Sequence, residues 1–241
     1  MTAFTVENLI RHLERLQARG PIPFDVKSGE IFGILCPPCG QDRQTLLSLL
    51  MTILFPVPGF AERSPLAVLG NLGDVRRCMG IVLPESVLDP ALTGRENLDF
   101  HARLHGLGDD LRKKRIPPEV MDLFGIAGSA DARVETYSPV MLQQLEIARA
   151  YLTRPSVLFL AEPTAGLDDA GRREIWGLLR RLNRERRATI IFTTHDVEEA
   201  EAICTRVAVV DRGEVVALDT PETFRAVMAV NDTPLGFDDT A

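Results

Sequence analysis

The chain has no long apolar run and no amino-terminal secretion signal. Its longest apolar stretch, Leu46 to Phe55, carries two hydroxyl residues and stops at Pro56. A helix needs about 20 apolar residues to cross a bilayer, so this stretch is too short. The first residues lack the basic and apolar regions of a signal peptide. These absences predict a cytoplasmic protein that reaches the inner face of a membrane only through a partner.

An excess of basic residues is also missing. The 241 residues include 27 Lys and Arg against 34 Asp and Glu, which gives a net charge of −7. Binding driven by phosphate neutralisation is therefore not expected, and no nucleic-acid partner is predicted. Two local basic clusters, Arg112 to Arg115 and Arg180 to Arg187, lie in helix-like stretches and are interpreted as solvated helix faces.

Cysteine is scarce, with four residues in the chain. Cys36 and Cys39 form a C-x-x-C motif, which allows a redox dithiol or half of a zinc site. Cys78 and Cys204 are isolated, and no His lies close enough in sequence to complete a tetrahedral set. The favoured interpretation is that the pair fills a loop with two small apolar side chains. No metal-binding residues are predicted.

The clearest local pattern is a strand, a turn-rich loop and a helix near the amino terminus. An apolar strand covers 30–35, the loop covers 36–42, and leucines at helical spacing follow in 46–54. A strand, loop and helix in this order are the architecture of a phosphate-binding P-loop.

Strands and helices alternate along most of the remaining chain. The predicted strands are 79–83, 157–160, 189–192 and 207–210, and the predicted helices are 96–104, 119–124, 143–152, 170–184 and 197–204. Residues from about 90 to 152 are helical in pattern without strands. The alternation predicts an α/β fold with a parallel sheet, interrupted by a helical insertion.

Several segments resemble the nucleotide-binding domain of ABC transporters. Leu160 to Asp168 resembles the Walker B strand with the catalytic Glu and the D-loop, and Thr193 to Asp196 resembles the switch-histidine segment. Leu92 to Leu98 and Gly213 to Val215 resemble stretches of exporter-type (ABC-2-like) members. The resemblance covers roughly residues 4–225 and is carried mainly by Glu162 to Asp168.

The resemblance implies a P-loop NTPase (RecA-like) core with an inserted helical subdomain. A single nucleotide-binding domain would fill residues 1–241. Its α/β core would comprise about 1–85 and 153–222, its helical subdomain about 86–152, and its carboxyl-terminal tail 223–241.

The P-loop itself departs from the family pattern Gly-x-x-x-x-Gly-Lys-[Ser/Thr], in which backbone N–H groups, a Lys and a hydroxyl hold the phosphates and Mg²⁺. The segment holds one residue too many. Counted back from Thr45, Asp42 occupies the position of the final Gly, Arg43 that of the Lys, and Gln44 that of the hydroxyl residue. Counted from the left-hand flank, the pattern fails as well. A carboxylate about 4 Å from a phosphate costs several kcal/mol at an effective dielectric constant near 20.

Four other family positions are also changed. Ala161 replaces the Walker B carboxylate, Pro84 the glutamine after the second strand, and Leu13 the aromatic that stacks on adenine. The signature Ser-Gly-Gly-Gln reads Ser138 to Met141. Ser138 is a good helix N-cap and Pro139 suits the first helical position, so the helix itself is expected to persist.

Three family residues remain. By resemblance, Glu162 is the general base, His195 the γ-phosphate sensor, and Asp168 part of the D-loop. They could act on weakly bound ATP, or persist for local structural reasons, which is the favoured interpretation. No cofactor is expected, and ATP with Mg²⁺ would bind only if residual affinity survived at Gly40, Arg43, Gln44, Thr45, Ser138 and Asp168.

The function implied by this pattern is that of a degenerate, pseudo-ATPase subunit. Such a subunit would pair with itself or with another ATP-binding subunit and dock on a membrane permease around Pro84 to Asn97. The alternatives are a slow ATP-hydrolysing transporter subunit and a soluble regulatory module without a permease. The sequence identifies neither the transported substrate nor the choice between homodimer and heterodimer.

Overall fold

A computed structural model describes residues 26–35, 79–211 and 214–223. The chain divides into two compact units, one of Met1–Leu72 with Ile191–Ala241 and one of Gly73–Ile190. The division into core, helical subdomain and tail expected from the sequence remains a prediction.

In the first unit, β1 has a neighbouring strand on each side in the sheet. The strands are β1 (Ile31–Leu35), the end of β4 (Thr189–Thr194), β5 (Arg206–Asp211) and β6 (Glu214–Asp219), and their order is β4-β1-β5-β6. β1 pairs with β5 in parallel, with Gly33 opposite Val207, and β6 runs antiparallel to β5. Every residue of β1 is buried, as its continuous apolar sequence predicts for a central parallel strand.

One helix of this unit covers the sheet near β1. Helix α5 (Val197–Ile203) contributes Ala200 to a cluster with Leu35, Val207 and Val209. Its amino terminus is capped by Asp196, whose side chain accepts from the N–H groups of two following residues. The helix and its start are confirmed as predicted.

In the second unit, β2 (Met79–Val82) pairs in parallel with β3 (Val157–Ala161), and β4 follows β3 in the strand order. Residues 83–156 between β2 and β3 are all described and contain no strand, only an isolated bridge between Thr93 and Arg133. The predicted helical insertion is therefore confirmed as a stretch of secondary structure.

The helices of this unit are α1 (Gly94–Leu104), α2 (Asp109–Arg115), α3 (Pro139–Ala150) and α4 (Asp169–Arg186), with a π-helical stretch at Ile116–Met121 and short 3-10 turns at Ala127–Ser129 and Val134–Thr136. Helix α1 begins with a capping box, in which the Thr93 side chain accepts from the Glu96 N–H and the Glu96 carboxylate accepts from the Thr93 N–H. Helix α3 begins four residues earlier than its apolar spacing predicts, because Ser138 caps it. That cap was expected from the residue type.

Candidate functional site

Glu162 follows β3 in a strained turn. It comes directly after Ala161, the last residue of β3, and is 8% exposed. Its φ of +50° lies in the left-handed region, which is uncommon for residues other than glycine. Backbone strain of this kind costs about 1–3 kcal/mol and is concentrated at functional sites. The turn therefore holds a nearly buried carboxylate at the carboxyl end of β3. The sequence identified Glu162 as a candidate residue but did not predict its left-handed backbone conformation.

Ala161, the residue before Glu162, has no side-chain ligand for a cation. Ala161 is buried, and its methyl group carries no oxygen. Mg²⁺ is bound in proteins through oxygen ligands, chiefly carboxylates. Within residues 26–35, 79–211 and 214–223, no three His, Cys, Asp or Glu side chains are grouped closely enough to hold a metal ion. The side chain of Ala161 therefore supplies no oxygen ligand at this end of β3.

Asp168 is the N-cap of α4. Its Oδ1 accepts a hydrogen bond of 2.8 Å from the N–H of Gly171. This bond satisfies one of the backbone donors left open at a helix start. A local structural role accounts for an aspartate at this position.

The segment from Ser138 to Met141 forms the start of helix α3. The hydroxyl of Ser138 accepts from the N–H of Met141 at 3.2 Å. Pro139, at the first helical position, has no N–H to donate. Val140 packs against α4, where a Cβ added to Gly171 would lie 2.5 Å from Val140 Cγ2. Pro139 and Val140 therefore add side chains to a segment whose backbone two glycines would leave open.

His195 lies in the other unit, immediately after β4. It is exposed and precedes the Asp196 cap of α5 by one residue. The N–H of Asp196 donates to the hydroxyl of Thr194 at 3.0 Å, which fixes the backbone on either side of His195. The histidine is thus held at the carboxyl end of β4, just before α5.

A buried carboxylate holds the segment that follows β2. Glu146 of α3 is 4% exposed, and its Oε1 accepts from the Ser86 hydroxyl at 2.7 Å and from the Val87 N–H at 2.9 Å. Its Oε2 pairs with Arg149 Nε at 2.8 Å. Arg149 in turn donates through Nη2 to the carbonyl of Ile81 in β2 at 2.9 Å. The charge of Glu146 is therefore compensated inside the protein.

A buried amide holds the same segment further along. Asn97 of α1 is 1% exposed, and its Oδ1 accepts from the Asp89 N–H at 2.8 Å. Its Nδ2 donates to the Asp89 carbonyl at 2.9 Å. Residues 86–89 are thus fixed near both ends by polar side chains of two different helices.

Two histidines lie beside this network, the partly buried His101 and the more exposed His105 at the end of α1. The imidazole of His101 lies near the backbone of Val87, and Glu146 and Arg149 are both close enough to affect its charge. Burial, with a smaller contribution from the Arg149 cation, lowers the pKa of His101 below its usual value. The same two causes lower the pKa of His105.

Exposed apolar side chains are concentrated in this region. Among the described residues, four large apolar side chains are exposed, namely Val87 (48%), Phe100 (53%), Leu104 (68%) and Leu111 (48%). Phe100 packs edge-on against His101 with ring centroids 5.5 Å apart. We call Phe100 and Leu104, which lie one helical turn apart on α1, the apolar face. An exposed apolar group of this kind is typical of an interaction surface.

Residues 20–165 match the family model for the ABC transporter. The chain belongs to the ABC transporter family. It is 35% identical to the daunorubicin resistance ATP-binding protein DrrA3 of Streptomyces coeruleorubidus, over 93% of this chain and 70% of that protein. It is 37% identical to a Nod factor export ATP-binding protein of Burkholderia thailandensis, over 89% of this chain and 69% of that protein.

Solved ABC structures have the same fold. The cbiO1 protein from Clostridium perfringens, part of the ABC transporter complex cbiONQ, has a TM-score of 0.74 and 27% identity, over 88% of this chain and 86% of that one. A dimeric ATP-binding cassette bound to ADP and Pi has a TM-score of 0.67 at 24% identity, over 85% and 90% of the two chains, and supports the fold alone. The predicted α/β P-loop NTPase fold is confirmed.

The expected site residues of this ABC protein fall in three groups. Glu162, Asp168 and Ser138 lie in the second unit, and His195 lies in the first. The P-loop positions Gly40, Arg43, Gln44 and Thr45 lie outside the described residues, as do Leu13 and the pair Cys36 and Cys39. No helix in the described ranges has the length and apolar character required to cross a membrane.

Sequence reasoning missed the network around Glu146. A glutamate and an arginine three residues apart, on a helix whose other residues from 144 to 150 are mostly apolar, were the available signal. Ser86 lies 60 residues from Glu146 and Ile81 lies 68 residues from Arg149, and nothing in the local pattern connects them.

Proposed function

We propose that this ABC subunit is a pseudo-ATPase of an exporter-type transporter complex. It scaffolds or regulates a membrane permease together with a competent ATP-binding partner. ABC family members normally bind ATP with Mg²⁺. In this proposal the chain has kept the fold and lost that chemistry, and Glu162 and His195 are remnants.

The observation that carries the proposal is the set of side chains at the family's nucleotide positions. Ala161 cannot bind Mg²⁺, and the Ser138 hydroxyl caps its own helix. Pro139 and Val140 replace the two glycines whose open backbone meets nucleotide in the family, and Val140 is packed on Gly171. These losses add to those of the loop from Cys36 to Gln44 in the sequence. A single loss is compatible with a working ATPase, whereas this combination favours an inactive one.

Docking on a permease is the second part of the proposal. The relatives are named as export or drug-resistance ATP-binding proteins, and the cbiO1 neighbour is part of a transporter complex. The apolar face, which lies in the proposed helical subdomain of residues 86–152, supplies a surface for a permease segment. The subunit would then act at the cytoplasmic side of the membrane, as a homodimer or as a heterodimer with another ATP-binding subunit.

A slow ATPase is the second candidate function, and the backbone of Glu162 favours it. A glutamate with a left-handed backbone conformation lowers the stability of the fold. A protein that does not use the carboxylate would gain stability if this turn relaxed. Under this alternative, Glu162 would still activate water next to ATP bound weakly at the altered loop.

Isothermal titration calorimetry separates the two candidates. We expect no saturable heat when ATP and Mg²⁺ are titrated into the full chain. The Nod factor export ATP-binding protein of Burkholderia thailandensis, titrated in the same buffer, is the matched positive control. Saturable, magnesium-dependent binding in the micromolar range would contradict the pseudo-ATPase proposal and support a slow ATPase.

Co-purification tests the permease. The tagged chain is expressed together with a permease subunit and an ATP-binding subunit encoded beside it, and all three are expected in the detergent-solubilised complex. A gene neighbourhood without any permease, or a chain that purifies alone, would favour the soluble regulatory module.

A further inference from the structure

Helix α4 carries a line of exposed arginines along one side. Arg173, Arg180 and Arg184 are all exposed, and we call these three residues the arginine stripe. At 3.6 residues per turn they lie within about 40° of one another around the helix axis, and the line is roughly 16 Å long. The net charge of the protein is −7, so the stripe is a local reversal of the sign of its charge.

The two glutamates of α4 lie to one side of the stripe. Glu174 accepts a hydrogen bond of 2.6 Å from the side chain of Gln144 on α3. Glu185 approaches Arg184 only to 3.8 Å, and both side chains are largely exposed, so this contact neutralises little of the charge. Asp169, in the first turn, lies on the same side as the stripe and marks its amino-terminal end.

The helix dipole explains only one of the three arginines. The carbonyl groups at the end of a helix favour cations in the last turn, where Arg184 lies. The effect falls off within that turn, so it does not extend to Arg173 or Arg180. Like charges four residues apart, as in Arg180 and Arg184, slightly destabilise a helix. The stability of α4 therefore does not account for the stripe.

The middle of the stripe has room for the backbone of another molecule. Gly177 lies between Arg173 and Arg180 and is exposed, and a Cβ added to it would have no atom within 4 Å. Glycine inside a helix lowers stability relative to alanine, and a larger side chain meets no obstacle here. Gly177 therefore opens a gap in the stripe through which a partner can approach closely.

The shape and composition of this surface favour an acidic helix over a membrane or a nucleic acid. A helix that lies on a membrane inserts large apolar side chains, and in the described ranges the exposed ones are all outside α4. A nucleic acid is a long polyanion, which the net charge of −7 disfavours. A short helix can present carboxylates at the spacing of the stripe, and guanidinium groups bind carboxylates through two parallel hydrogen bonds.

We propose that the arginine stripe binds an acidic helix of another protein, whose backbone passes over Gly177. Acidic residues at positions i, i+4, i+7 and i+11 of the partner match the stripe in either direction. The inference goes beyond the proposed function, because it involves neither a nucleotide position nor a permease.

Fluorescence anisotropy with a labelled synthetic peptide tests the surface on the full chain alone. The probe is an alanine-based helical peptide with glutamates at i, i+4, i+7 and i+11, and the comparison peptide has four glutamates distributed around the helix. We expect the first peptide to bind about tenfold more tightly, with an affinity that falls as salt is added. Equal affinities would overturn the proposal, as would tighter binding of phosphatidylglycerol vesicles or single-stranded RNA than of the first peptide.

Variants assign the binding to the stripe. The triple variant Arg173→Gln, Arg180→Gln, Arg184→Gln keeps strong helix formers and should lose about tenfold or more in affinity. Gly177→Leu keeps every charge and raises the helix propensity, so it should weaken binding severalfold while the Tm stays the same or rises. Wild-type affinity in either variant would overturn the proposal.

The matched control is the triple variant Arg103→Gln, Arg133→Gln, Arg186→Gln. It changes the net charge by the same amount at exposed arginines outside the stripe. Arg186 is on α4 itself, about 200° around the axis from Arg184. The control should bind the first peptide as wild type does. Equal losses in the two triple variants would mean that binding follows net charge alone and would refute the stripe as the site.

Discussion

Gly171 lies so close to Val140 that a Cβ at position 171 would be 2.5 Å from the Cγ2 atom of the valine. Gly171 is the third residue of α4, where its N–H donates to the Asp168 cap. Val140 is the second residue of α3. The altered signature segment and the helix after the D-loop are therefore fitted to each other, and the fit depends on the absence of one methyl group.

The first prediction concerns this pair. Gly171→Ala should destabilise the protein by about 1–3 kcal/mol, because an added methyl must displace Val140 from a packed position. In the double variant with Val140→Ala, most of the loss should be recovered, with a coupling energy of about 0.5–3 kcal/mol. Urea unfolding of wild type, both single variants and the double variant measures this cycle. Strictly additive effects would show that the two side chains do not compete for the same space.

The second prediction concerns the end of α4. Arg187 is exposed and has a left-handed backbone, with φ of 55° and ψ of 28°. Arg187→Gly should stabilise the protein by roughly 0.5–1 kcal/mol, because glycine adopts this conformation without strain. For a chain of this size, that corresponds to a rise in Tm of about 1–4 °C.

The control for this prediction is Arg184→Gly, three residues earlier within the helix. Its side chain is 80% exposed, and its ion pair with Glu185 is long at 3.8 Å. Glycine there should lower stability by about 1 kcal/mol, as in any exposed helix interior. Calorimetry that finds both variants equally destabilised would contradict a left-handed cap at Arg187.

The third prediction concerns pH. Burial and Arg149 lower the pKa of His101 and His105 from the usual 6.5. As the pH falls, these histidines therefore take up protons in the unfolded chain before they do so in the folded protein. The free energy of unfolding consequently decreases below pH 6.5 and stops decreasing once the pH is below the folded-state pKa. The Glu146 carboxylate opposes this shift at His101 without reversing it.

The variant that checks the sign is His101→Gln, which keeps a hydrogen-bonding side chain but cannot titrate. The free energy of unfolding of wild type should decrease more than that of His101→Gln between about pH 7 and about pH 5. Equal decreases in the two proteins would mean that His101 is not responsible.

Local sequence patterns predicted much of the fold. The five buried apolar residues of β1 could be assigned as a strand because a parallel strand inside a sheet buries both faces. Ser138 followed by Pro139 predicted the start of α3, since both residue types favour the first helical turn. These features depend on residues that are neighbours in the chain.

What the sequence could not predict depends on distant partners. The left-handed backbone of Glu162 follows from no residue preference, because glutamate avoids that conformation and the surrounding turn imposes it. The contact between Ser86 and Glu146 joins residues 60 positions apart. The packing of Val140 on Gly171 is likewise invisible until α3 and α4 are brought together.

The last prediction concerns the apolar face. Phe100 and Leu104 lie one helical turn apart on α1 and are 53% and 68% exposed. A few well-packed residues near the centre of an interface supply most of its binding energy, so truncating one of them costs about 2 kcal/mol or more, which is at least tenfold in affinity. Phe100→Ser should therefore reduce recovery of the permease in co-purification while leaving the Tm nearly unchanged, since the side chain is exposed in the free subunit.

Leu111→Ser is the matched control, because Leu111 is an exposed apolar residue of α2 that is not part of the apolar face. It should lower neither the Tm nor the recovery of permease. If Leu111→Ser and Phe100→Ser reduce recovery equally, the effect reflects general surface hydrophobicity instead of a defined contact. If Phe100→Ser has no effect while wild type captures the permease, the permease binds elsewhere on the subunit.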